Sequence, residues 1–399
     1  MIKGGKEMKK ELTYFKAFFL SIVLLAVAFT GCIEEEENSE EPEEILSLGM
    51  QLDQTSILPD WEDDDYHDYY DATQMLNDFN EEYPNLVNMF SIGESVLGRD
   101  IWCIKLTNEN NNEEKPCCLI DGCIHGHEWE GGEACLYLIE YLLINFGRNE
   151  TVTNILNTSE VYIVPIVNPD GRQNDEMWLG NDNGVDINRN FDIFFGRLRS
   201  HVLRLGKLFG RFKIPFIKFP PNKPYDWWRN CGRYPFSEPE SQALRDLMIS
   251  LDQHDFSFYV NCHTATHEVI APVPWKNTVL NPPYEITSQE KDIFDNVLDW
   301  VEENTEYGAF RSEGELFGGL AMSWCFKEFR IPSFVLEVLS LDYECFITGE
   351  VRHDNLVHWM KTTLPFFMYL LVNIDNLRQW QTPDIQPPLP EGIPPEPLQ

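Results

Sequence analysis

Five apolar runs of strand length recur along the chain: RDIWCIKL, KPCCLIDGCI, EVYIVPIV, FSFYVNC and PSFVLEVL. Each is rich in β-branched or aromatic residues and bounded by turn residues. Between and after them lie segments whose apolar residues repeat at helical spacing: GGEACLYLIEYLLINFG, SEPESQALRDLM, SQEKDIFDNVLDWVEEN and HDNLVHWMKTTLPFFMYLL. In the second, Ser237 and Glu240 have the spacing of a capping box; in the last, a bend is expected at Pro365. Strands that alternate with helices build sheets covered on both sides. The order therefore predicts an α/β domain, with a mixed, mostly parallel twisted sheet and helices on both faces. No internal repeat is visible.

The 399 residues, 43% of them hydrophobic, suffice for a full core, but the ends shorten the part that folds. Residues 1–16 carry five lysines and lead into the fourteen-residue uncharged run AFFLSIVLLAVAFT, then Gly31 and Cys32. That run is shorter than the ~20 residues of a spanning helix. Residues 1–32 read as a secretory signal ending in a lipoprotein-type cysteine, with an uncleaved membrane anchor as the alternative. Either reading expects a body outside the cytosol, anchored to the cell membrane or secreted. Residues 33–65 hold fourteen acidic residues and no Lys or Arg, which makes them a solvated linker. Residues 381–399 contain seven prolines and read as an extended tail, leaving one folded domain over 66–380. A formal net charge of −36 argues against nucleic acid as a partner. None of the ten cysteines falls in a C-x-x-C pair; Cys123 and Cys262, each near a histidine, read as small buried apolar residues.

Chemistry-bearing residues gather just past the strand ends. His125 follows the run ending CLIDGCI, His263 follows FSFYVNC, and GNDNGVDINRNFD follows EVYIVPIV and its NPDG turn. In open α/β sheets, ligand crevices form beyond the carboxyl ends of strands. DGCIHGHEWEGG half matches the zinc helix H-E-x-x-H at His127 and Glu128, but position 131 is Gly. His125 and Glu128, three apart in a Gly-flanked turn, can instead converge on one ion with His263, leaving an open position for water and turning His127 elsewhere. On spacing alone, a metal site and satisfied loop histidines stand equal. Glu337, inside the apolar run FVLEVL, is costly unless paired or protonated, though alternation also allows an outward-facing strand residue. Arg189 offers a planar fork for a carboxylate, or an ordinary surface ion pair.

In chain order, YHDYYDATQMLNDFNEEYPN, FSIGESVLGRDIWCIKLT, IHGHEW, NPDGR, GVDINRNFD, PFSEPES, NCHTATH and SFVLEV resemble the zinc metallocarboxypeptidase family, the pancreatic carboxypeptidases and their microbial relatives, over nearly the whole body. The resemblance implies one Zn2+ per chain held by His125, Glu128 and His263, with Glu337 as general base. It makes Asn188 and Arg189 the clamp for a peptide's terminal carboxylate, and Asp186 the carboxylate that orients a zinc-bound histidine. The implied activity is hydrolysis of the C-terminal peptide bond of peptides and proteins.

Two features of the resembled family are missing. Its oxyanion-steadying arginine follows a Trp shortly before the NRNF segment, where this chain has Leu179 after Trp178; Arg172 is the nearest substitute. The family's mobile tyrosine has no counterpart in EGELFGGLAMSW, and Tyr307 is the closest upstream. Met322, two before Trp324, stands where the family often places an acidic specificity residue, which implies a preference for apolar or aromatic termini. Residues 193–233 carry ten Lys or Arg against one acidic residue and contain a basic amphipathic pattern, read either as a membrane-surface helix or as a cover packed on the domain. The alternatives to a carboxypeptidase are an amidase acting on cell-envelope or modified peptides, and a catalytically impaired protein that binds free C-termini.

Overall fold

The computed structural model describes residues 56–111, 113–173, 180–196, 230–272, 286–310, 318–340 and 355–387, all within the compact unit Met50–Gln399. The leader, residues 33–55, Trp178 and Leu179, residues 197–229 of the basic segment and the last twelve residues of the tail lie outside the described residues.

An eight-stranded sheet runs in the order β1-β2-β4-β3-β5-β8-β6-β7. Its strands are β1 (Val87–Glu94), β2 (Asp100–Leu106), β3 (Cys117–Asp121), β4 (Glu160–Val164), β5 (Phe256–Ala265), β6 (Glu268–Ile270), β7 (Gly308–Phe310) and β8 (Ser333–Ser340). The central neighbours β4, β3, β5 and β8 are parallel. Antiparallel pairs flank them, β1 with β2, β2 with β4, and β6 with β8. The mixed, mostly parallel sheet expected from the alternation is present, and β6 and β7 are short additions that no apolar run announced. All five residues of β3 are buried, as a strand covered on both faces requires.

Among the described residues, the helices longer than one turn are α1 (Tyr69–Glu82), α2 (Trp129–Asn145), α3 (Glu150–Thr158), α4 (Pro239–Leu251), α5 (Ser288–Asn304), α6 (Ala321–Phe329), α7 (Leu356–Val372) and α8 (Ile374–Arg378). Capping boxes start α1 at Asp68 with Asp71 and α5 at Thr287 with Glu290. The box expected at Ser237 does not form. Helix α4 begins at Pro239 with Glu238 as N-cap and no side-chain cap bond. Ser237 donates to Glu238 at 2.6 Å, and the buried Glu240 carboxylate accepts from the Val96 N–H and from Asn181. A buried carboxylate goes where donors can satisfy it, and here tertiary donors outcompete the local cap. Pro365 lies inside α7, which continues past it to Val372.

Residues 56–68 form a strap along α2. The Asn145 side chain accepts from the Ile57 N–H and donates to the Ile57 carbonyl, both at 2.7 Å. Further along, the Trp61 indole N–H donates to Glu140 at 2.6 Å, the Tyr66 hydroxyl to Glu130 at 2.8 Å and the His67 N–H to Glu133 at 2.8 Å. Asp60 and residues 62–65 are exposed, so a stretch whose composition reads as solvated linker is held by its few uncharged residues. The other end mirrors this: Asn373 donates to the Ile385 carbonyl at 2.8 Å and accepts from the Asp384 and Ile385 N–H groups. The packed body thus continues past residue 380. Replacing Asn145 by Ala would leave the Ile57 backbone without its partner, and the expected loss is about 1–3 kcal/mol of stability. Urea unfolding reads it as a lower midpoint; an unchanged midpoint would mean the strap contributes nothing.

Candidate metal centre

His125 lies four residues beyond β3 in a turn that the Glu128 N–H closes on the His125 carbonyl at 3.1 Å. Glu128 is the N-cap residue of α2, yet its side chain makes no cap bond. It bridges two histidines instead, with Oε1 2.8 Å from His125 Nδ1 and Oε2 2.6 Å from His263 Nδ1. The three residues are buried and offer donor atoms within 4.8 Å of one another. His127 stands outside the cluster, its Nε2 4.0 Å from Glu128 Oε1 and its ring stacked on His125 at 6.3 Å.

Glycines let the three segments meet. A Cβ on Gly131, in the first turn of α2, would sit 2.6 Å from the Cys262 carbonyl oxygen, one residue before His263. A Cβ on Gly126 would sit 2.2 Å from the Gly171 carbonyl carbon, which presses the His125 turn onto the single helical turn formed by Pro169–Arg172. Backbone touches backbone at both places, so only glycine fits. Cys123 and Cys262 are buried, as expected of small apolar fillers.

Asp186 carries its charge to two partners. Its Oδ1 is 3.1 Å from His125 Nε2, and its Oδ2 is 3.7 Å from Arg189 Nε. Burial works against this carboxylate, but the Arg189 and His125 charges outweigh it and hold Asp186 below its usual range. Burial would likewise push the His125 imidazole down; Glu128 and Asp186 outweigh it and raise His125 to about 10. Burial also opposes ionisation of Glu128, and the two histidines pull its pKa well below the carboxylate norm.

Glu337 pairs in register with His263 across the parallel strands β5 and β8, which sets both side chains on one face of the sheet. Its Oε2 is buried with no hydrogen-bond partner among the described residues. Burial, followed by the neighbouring His263, Glu128 and His125 charges with opposing signs, leaves its carboxyl raised to about 7. Asn188 is tied into the scaffold: its Oδ1 accepts from the Ala321 N–H at 2.8 Å, and its Nδ2 lies 3.0 Å from His263 Nε2. Arg189 donates from Nη1 to the Asn188 carbonyl at 2.6 Å. Met322 is buried in the first turn of α6, one residue after the amide that Asn188 holds.

The substitute Arg172 and the nearest upstream tyrosine, Tyr307, both have other partners. Arg172 donates to the His67 carbonyl, lies 3.5 Å from Glu133 and stacks 3.9 Å over the Trp129 ring. Its charge ties the strap to α2 and gives the oxyanion role no support. Tyr307 is a buried residue whose hydroxyl donates to the Val338 carbonyl at 2.8 Å, so it is no mobile lid. Asn261, Asp121 and Tyr259, which sequence reading did not single out, form a hydrogen-bonded run behind His263. Its only trace in the sequence is the strand alternation that puts 259, 261 and 263 on one face.

A family model described as zinc carboxypeptidase matches residues 72–350, well over half of the chain. The chain belongs to the zinc carboxypeptidase family. Carboxypeptidase D of Mus musculus is 33% identical over 135 residues, covering 32% of this chain and 10% of that protein. Carboxypeptidase A6 of Homo sapiens is 24% identical over 299 residues, covering 72% of this chain and 63% of that one. The chain therefore spans less than two thirds of the length of these curated relatives. The crystal structure of carboxypeptidase A from Helicoverpa armigera shares the zinc carboxypeptidase fold, with a TM-score of 0.56 and 20% identity over 79% of this chain and 74% of that one.

Proposed function

We propose that this member of the family is an active zinc metallocarboxypeptidase that removes single residues from the C-termini of peptides and proteins. The observation that carries the reading is Glu337: a carboxyl group with an orphaned buried oxygen, in register with His263, beside a His-Glu-His cluster. Two imidazole nitrogens and a carboxylate are the three-donor set of catalytic zinc sites, which keep a fourth position for water. His125 and His263 would bind through Nδ1 and Glu128 through its carboxylate. Bound zinc would supply a Lewis acid and lower the pKa of its water toward ~7.

The remaining steps fall to this chain's own residues. Glu337 takes the proton of the attacking water and passes it to the leaving amine, a task suited to a carboxyl poised near neutrality. Arg189, with Asn188 beside it, binds the substrate's terminal carboxylate through a planar fork and so selects chain ends over internal bonds. Asp186 holds His125 in place and counters the Arg189 charge. Met322 favours apolar or aromatic terminal residues. The leader is read as a lipoprotein-type anchor and the basic 193–233 segment as a membrane-surface element, so the enzyme is proposed to work tethered outside the cytosol.

Zinc analysis of the purified protein, combined with mass spectrometry of a digested mixed peptide library, tests the proposal. Ladders lacking one C-terminal residue at a time are expected. Internal or non-peptide cuts would favour the amidase; binding without cleavage would favour an impaired binding protein, which Leu179 in the arginine position makes the sharper rival. Zinc binding itself has a signature. With metal absent, His125 is held protonated at pH 7, since its pKa is raised to about 10, so loading is expected to release about one proton from it. Calorimetric titration in buffers of different ionisation enthalpy measures this, and no release would contradict ligation by His125.

A further inference from the structure

The two histidines of the cluster are braced by different chemistry. His125 Nε2 meets the carboxylate of Asp186 at 3.1 Å, whereas His263 Nε2 meets the amide oxygen of Asn261 at 2.5 Å. Asn261 stands two residues before His263 on β5 and is fully buried. Its amide nitrogen donates to Asp121 Oδ1. Asp121, the fully buried last residue of β3, pairs in register with Asn261 and also accepts from the Tyr259 hydroxyl at 2.6 Å.

A primary amide can turn either its oxygen or its NH2 toward a neighbour, and the two orientations have almost the same shape. Asp121 breaks that symmetry. Its Oδ2 takes the Tyr259 hydroxyl and its Oδ1 the Asn261 NH2, which leaves Asn261 Oδ1 to face His263; in its ionised form it can only accept. With zinc on Nδ1, the one N–H of a neutral His263 ring is at Nε2, and Asn261 Oδ1 at 2.5 Å is placed to accept it; in the metal-free chain the Glu128 carboxylate, 2.6 Å from Nδ1, accepts from that nitrogen instead. Asn188 also approaches Nε2, at 3.0 Å; its oxygen is occupied by the Ala321 N–H, so it presents only N–H groups, which favour a bare Nε2, and the shorter contact to Asn261 Oδ1 is the one that holds a proton there.

We infer that Asp121 and Asn261 are positioning residues of the metal centre: the carboxylate fixes which way the amide faces, and the amide fixes which nitrogen of His263 is free to bind zinc. This rests on the assignment of His263 as a ligand. Register produces the arrangement, because pairing Asp121 with Asn261 on adjacent parallel strands sets both side chains on the face that His263 shares.

The test compares zinc dissociation constants of the full chain and its N261L, D121N and H263A variants by chelator competition. NMR of the zinc-loaded chains, with 15N-labelled histidine, follows the His263 Nε2–H. N261L is expected to weaken zinc binding by about 10–100-fold. D121N keeps the volume and the hydrogen-bonding capacity but frees the amide to face either way, so a loss of about tenfold is expected, with the Nε2–H signal weakened or exchanging faster. A merely structural role would lower the melting temperature of the metal-free chain without moving either readout. Wild-type affinity within about threefold in D121N, with an unchanged Nε2–H signal, overturns the inference, and D121N decides the matter if N261L does not fold. Should H263A bind zinc as tightly as the wild type, the ligand assignment falls and the positioning role with it. Should H263A lose zinc while N261L and D121N keep it, only the positioning role falls.

Discussion

Replacing Glu337 with Gln is expected to lower kcat by about 10²–10⁴-fold, with zinc still bound at one ion per chain. The substitution keeps size and shape and removes only the ability to take up a proton. Glu337 is in register with His263 but is not among the three clustered donors, so metal affinity should change little. Its environment supports the role: a group with a buried oxygen lacking any partner is expensive to maintain unless a reacting proton uses it. The measurement is kcat on a peptide substrate alongside zinc stoichiometry. Full activity in E337Q would remove the general-base assignment, and loss of zinc would show that the residue acts on the metal site instead.

Replacing Arg189 with Ala is expected to lower kcat/KM for peptides with a free C-terminus by about 10²–10³-fold, the equivalent of two charge-assisted hydrogen bonds at about 1.5–3 kcal/mol each, partly offset by water. For the same peptides with an amidated C-terminus, which lack the carboxylate that the fork would bind, the change should be small. The wild type's discrimination between acid and amide therefore collapses in the variant. R189K should fall between, since an ammonium keeps the charge but not the planar fork. One structural detail sharpens the test. Asp186 shares its charge between His125 and Arg189, so R189A leaves that buried carboxylate to His125 alone, and zinc affinity must be measured with the kinetics. Equal losses on acid and amide substrates would show that Arg189 supports the centre rather than reading the chain end.

Much of the fold was legible because the relevant signals are local. SQEKDIFDNVLDWVEEN is helical from Ser288 to Asn304, and all five apolar runs contain strands. The His125 and Glu128 spacing was readable, since a turn of three residues has few geometries. Composition gave the ends only coarsely: charge counting read residues 33–65 as solvated linker, and Asp60 and 62–65 are exposed, but Ile57 and Trp61 bond to Asn145 and Glu140 of α2. The capping box at Ser237 failed for the same kind of reason, because Glu240 found tertiary donors 59 and 144 residues away in sequence. Arg172 and Tyr307, attractive by position, turned out to have their partners in the strap and in β8.

The sequence by itself determined the kinds of element, their order and which residue types stand past the strand ends, because hydrophobic period and turn chemistry act over a few residues. Only the tertiary structure decided which of those residues meet. Parallel register sets Glu337 beside His263 and Asp121 beside Asn261, and backbone contact at Gly131 brings the start of α2, next to Glu128, against the part of β5 that carries His263. Register and close approach depend on strands far apart along the chain, and no local pattern encodes them.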